Sequence, residues 1–111
     1  MKPLYTEILE KFDHSDELII VRESTKNYPS NKSNIYCTDR DLNILWFAEL
    51  PIENDNYPNE IIFNSRINKD SKNWNDLYIP AENLITTSSL KGFTVTIDLN
   101  NGKIIDSIFT K

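Results

Sequence analysis

Apolar and polar positions alternate along this chain in short runs. In "FTVTIDL", Val95 and Ile97 alternate with Thr94, Thr96 and Asp98, the period of two expected of a strand with one buried face. After "NNG" the pattern resumes in "KIIDSIF". The Asn101-Gly102 pair between them tolerates the positive φ that a tight hairpin turn demands, and Asp98 is placed to cap that turn through backbone amides. "SNIYCT" and "NILWFAEL" form a second such pair across "DRDL". "ELIIVRE" and "EIIFNSRI" read as further strands, rich in β-branched residues. The expected fold is mainly β: a small antiparallel sheet, or a sandwich- or barrel-like domain of hairpins with long loops, with at most one short helix.

Helix and strand compete only near the start, where Leu4, Ile8, Leu9 and Phe12 also fit one helical face. The strand is the favoured reading, because it makes "EILEKFDHSDELIIV" a hairpin with "DHSD" as its turn. The two clearest hairpins also resemble each other. Laying Asp39 on Asp98 puts Asn43 on Gly102 and Trp46 on Ile105, a weak internal repeat. Two stretches lack periodicity and are expected to be loops, "PIENDNYPNE" and "NKDSKNWNDLYIPAEN". Long loops in a compact domain are often functional, which draws attention to Trp74 and Tyr78 in the second.

At 111 residues the chain supports a single core, so residues 1–111 are expected to form one domain. Its longest apolar runs, "LIIV" and "ILWFA", fall far short of the ~20 residues of a membrane span. The start carries acids where a secretion signal needs an apolar stretch, and the single Cys37 cannot form an internal disulfide. A cytoplasmic protein is expected.

Charge narrows the reading further. Net charge is −5 and the pI near 4.8, which disfavours binding to a phosphate backbone. The surplus is local: Asp39, Asp41, Glu49, Glu53, Asp55 and Glu60 are opposed only by Arg40, a local net of −5, while elsewhere eleven acids meet eleven bases. A concentrated acidic patch speeds encounter with a cationic partner.

The residues give little support to catalysis, metal or cofactor binding. Asp39, Asp41 and Asn43 match the first alternate ligand positions of a calcium loop, but Ile44 stands where that loop needs Gly and Leu50 where it needs Glu. One His and one Cys are too few for a zinc site. A Cys37–His14 dyad is arithmetically possible, yet Cys37 lies inside a strand reading, which favours a core thiol. No spacing singles out a carboxylate pair, and two glycines, Gly92 and Gly102, make no phosphate-cradling loop. No enzyme, cofactor or metal is expected.

The segments Asn34–Leu50 and Asn83–Lys111 carry one further signal. Tyr36, Cys37, Asp39 and Trp46 lie in the first, and Leu84, Ser88, Gly92, Val95, Ile97, Asp98, Gly102, Lys103, Phe109, Thr110 and Lys111 in the second. This arrangement resembles the small bacterial immunity proteins of contact-dependent growth inhibition systems. It departs from their pattern at Asn43, where Gly is usual, and at Thr86, where Ala is commoner. The hairpin is also similar to a blade repeat of quinoprotein-type propellers, but a propeller needs at least four blades and this chain is too short.

The family resemblance implies a cytosolic protein that binds a cognate toxin domain, often a cationic nuclease, as a monomer in a 1:1 complex and blocks it. With the acidic segment it nominates Asp39, Asp41, Glu53 and Asp55 for charge, and Tyr57 and Trp74 as aromatic anchors. Two other readings stay open: a small-molecule or peptide-binding β-module with a groove lined by Tyr36, Trp46 and Trp74, and a hydrolase using paired carboxylates or Cys37.

Overall fold

The computed structural model describes residues 1–70 and 77–110. They form eight strands: β1 (Ile8–Asp13), β2 (Ile19–Glu23), β3 (Ile35–Thr38), β4 (Ile44–Phe47), β5 (Ile62–Ile67), β6 (Tyr78–Ser88), β7 (Phe93–Asp98) and β8 (Ile104–Phe109). Each strand pairs antiparallel with its neighbour in sequence, giving two four-stranded sheets, β1-β2-β3-β4 and β5-β6-β7-β8. The fold is all-β among the described residues, as the alternating pattern predicts. The start is the hairpin β1–β2, closed by His14 N–H donating to the Leu18 carbonyl at 2.9 Å. Of residues 4–12, only Ile8–Phe12 are strand.

The sheets pack face to face over one core. Ile20, Ile35, Cys37 and Ala48 from the first meet Ile85, Val95, Ile97 and Leu99 from the second, with Tyr57 and Ile61 of the linking segment between them. Phe12 stacks on Phe63 across the layers at 5.4 Å between ring centroids. The hairpins matched in sequence take matching places, β3–β4 closing the first sheet and β7–β8 the second.

One strand escapes the sequence reading. β6 runs eleven residues through "YIPAENLITTS", where Pro80 and Asn83 hide the strand signal. Pro80 is tolerated because this half of β6 pairs only with β5; pairing with β7 begins at Leu84. Asn83, at φ 59°, makes the bend between the two halves. The far end of the β5–β6 hairpin thereby lies over the outer side of the second sheet. There Ile67 N–H donates to Thr96 Oγ1 at 2.9 Å, and Arg66 and Lys69 reach the buried Asp106 at 3.3 and 2.5 Å.

The outer side of the first sheet carries a smaller cluster, Ile19, Val21 and Tyr36 with Ile8 against it. Beside it, the buried Glu23 carboxylate accepts from the Leu4, Tyr5 and Thr6 amides at 2.6–3.0 Å and from the Tyr36 hydroxyl. Burial pushes this carboxyl up, but Tyr36 and the three amides outweigh it and hold it below its ordinary value.

The linking segment is stitched to both sheets. The Asn34 side chain exchanges hydrogen bonds with the Tyr57 backbone, each at 2.8 Å, and Arg22 pairs with Glu10 while reaching the Pro58 carbonyl. On the other side, Leu90 N–H donates to the Asn56 carbonyl and Lys91 N–H to Asp55 Oδ1. This expected loop is a seam between the layers.

Candidate functional site

The acidic segment begins in the β3–β4 turn, whose shape comes from Asp39. Its carboxylate accepts from Asp41 N–H and Asn43 N–H at 2.9 Å each and from Asn43 Nδ2 at 3.0 Å. The Asn43 side-chain amide, then the turn's backbone amides, hold this exposed carboxyl below its usual range. Asp39 is therefore an ionised turn cap. The left-handed position falls on Leu42, at φ 67°.

Asp41 beside it is exposed, and with Glu17, Asp39 and Arg40 it lines an open depression of about 250 Å³. Arg40, the one base in the acidic segment, is turned toward β1–β2: it pairs with Asp13 at 3.1 Å and donates to the Asp16 and Ser15 carbonyls. Glu49, Glu53 and Glu60 are also exposed. Lys91 Nζ approaches this region but donates to the Glu53 carbonyl, not to a carboxylate.

Four expectations are corrected by the geometry. Tyr57 is no surface anchor: it is 0 % exposed, its backbone tied to Asn34 and its hydroxyl to the Glu49 carbonyl. Asp55 is no surface charge at 2 % exposure, because Oδ1 holds the Asn56 and Lys91 amides. Tyr36 and Trp46 line no common groove, since they face opposite sides of the first sheet, Tyr36 in the outer cluster and Trp46 against the main core. In the "LNNGK" turn only Gly102 takes positive φ; Asp98 caps the turn as expected, accepting from Asn100 N–H at 2.9 Å.

Trp74 lies outside the described residues, and Tyr78 opens β6. Cys37 is fully buried, and burial pushes its thiol up to about 11, far from a nucleophile's range.

Sequence reasoning also passed over a feature beside these acids. Leu42, Ile44, Leu45 and Phe47 are 47 %, 36 %, 49 % and 38 % exposed. The ladder skips Leu45, pairing Cys37 with Trp46 and Thr38 with Ile44, so a bulge interrupts the alternation there. The available signal was that Leu42 to Ala48 holds no charged residue.

Comparison with family models, with curated proteins and with solved structures gives no match in any of the three. A functional reading therefore rests on the chain's own residues. No described helix is long and apolar enough to cross a membrane.

Proposed function

We propose that this chain is a non-catalytic inhibitor, an immunity protein of the contact-dependent growth inhibition type, which binds a cognate toxin domain in the cytosol as a 1:1 complex. The partner that suits its acidic surface is a cationic domain, and the family resemblance makes that domain a nuclease. One observation carries the reading. Five of the six acids between Asp39 and Glu60 lie at the surface without a salt bridge to a described residue, while the one base among them is held by the β1–β2 turn.

Such carboxylates can take the place of substrate phosphates against Lys or Arg. Asp39, Asp41 and Glu53 remain the charged contacts of this proposal, joined by Glu49. The reading is tested by finding a toxin gene next to this one and titrating the chain against its purified toxin domain. A stable complex that abolishes toxin activity is expected. Absence of a complex, or a complex indifferent to charge reversal at Asp41 and Glu53, contradicts it.

A further inference from the structure

Four strands form the edges of the two sheets, and three of them carry charge. β1 holds the exposed Lys11 and Asp13, β5 holds the exposed Arg66, and β8 holds only the buried Asp106. Charges on edges are a usual protection against unwanted pairing. β4 has none, and its neighbours extend the uncharged run from Leu42 to Ala48. On this run the exposed Leu42, Ile44, Leu45 and Phe47 make an apolar strip, the kind of feature that marks an interaction surface.

The ends of the strip limit what can cover it. Asp39 and Asp41 stand at one end, and the exposed Glu49, whose Oε1 accepts from Ile104 N–H, follows the other. A second copy pairing antiparallel along β4 would bring the Asp41 end against the Glu49 end, and parallel pairing would bring each end against itself. Both arrangements oppose like charges and are disfavoured. The complementary occupant has an apolar centre and basic flanks. We infer that the β4 strip is the apolar centre of the surface on which a basic protein docks, with Asp39 and Asp41 at one rim and Glu49 at the other. This rests on the chain being an inhibitor of a cationic toxin domain. Lys32, whose ammonium lies 5.7 Å from the Phe47 ring centroid, is a cation at the strip and opposes such a partner.

The test measures binding of that same purified toxin domain to the full chain and its variants, with thermal unfolding to check folding. Leu45→Glu adds an acid that a basic partner should welcome, so a loss of binding reports the apolar contact itself. A loss of at least tenfold is expected, while Ile105→Glu on β8 stays within twofold of the parent and Lys32→Glu speeds association. Leu45→Ser gives the same readout if the glutamate unfolds the hairpin. Parent-like binding by a folded Leu45 variant overturns the inference and leaves the inhibitor reading standing. No binding by the parent chain removes both. A dimer of the free chain that Leu45→Glu dissociates would show that a second copy is the occupant and overturn the choice of a basic protein.

Discussion

The β3–β4 and β7–β8 hairpins read alike in sequence and close equivalent sheets, yet their surroundings differ. Each turn is capped by an aspartate, Asp39 or Asp98, that accepts a backbone amide two residues on. The left-handed position is Leu42 in one and Gly102 in the other. Gly102 is required where it stands, because a Cβ there would strike the Trp46 ring, lying 2.8 Å from Cδ2. Its carbonyl also accepts from Glu49 N–H at 2.8 Å, and Glu49 Oε1 accepts from Ile104 N–H at 3.0 Å. The second hairpin is thus locked under the first, and its outer-side Asp106 is covered by the β5–β6 hairpin. The first hairpin ends in an exposed turn and an exposed apolar strip. One motif serves as a fixed support and the other is left uncovered, and the difference comes from what the rest of the chain places on each.

Gly102→Val should break the locked hairpin most severely. A β-branched residue at φ 76° combines backbone strain with a collision at Trp46, an expected loss of roughly 4 kcal/mol by urea unfolding. Retained stability would mean that the close approach is not rigid.

Next in size is Glu23→Gln, expected to cost about 3 kcal/mol because a buried charged acceptor of three amides and a hydroxyl becomes neutral. The folded carboxyl lies below its ordinary value of 4.5, so its contribution is complete above that pH. It is lost as pH falls below 4.5 through the lower folded value. Urea midpoints measured from pH 7 downward should show an acid limb that Glu23→Gln flattens. An unchanged limb would place the acid sensitivity elsewhere.

Asp106→Asn should have a smaller effect, about 1 kcal/mol, since its partners Arg66 and Lys69 are largely exposed. Hydrogen exchange should quicken in β5 and the first half of β6 and leave β3–β4 unchanged. Smallest is Leu42→Gly, which relieves a left-handed leucine and should gain up to about 1 kcal/mol. If the strip is a docking surface, the same change weakens toxin binding. Stability and binding then move in opposite directions in the uncovered hairpin alone.

Much of the frame is readable from the sequence where the cause is local. Alternation marks β7 as a strand, though not with one buried face, since Thr94 and Thr96 are buried like Val95 and Ile97, and Asp39 and Asp98 are visible as turn residues from chain position alone. What the sequence hides is set by distant partners. Tyr57 sits in a run of Asn and Pro that looks like open loop, and Asn34, 23 residues away, together with the core residues of both sheets makes it interior. Glu23 looks like a strand-end charge until Leu4–Thr6 close over it. Asp55 and Glu53 read alike as loop acids, but Lys91 N–H draws one of them inside. The exposed side of β4 is equally hidden, since an apolar strand with one uncovered face and one with two covered faces have the same composition.

The association rate of the chain with its proposed toxin partner, followed by stopped flow from low to high salt, decides whether charge steers the encounter. The predicted result is a rate that falls at least tenfold over that range, and that falls comparably at low salt in Asp41→Lys/Glu53→Lys, with dissociation changing much less. A rate independent of salt and of both reversals would contradict the claim that the acids between Asp39 and Glu60 guide a cationic partner.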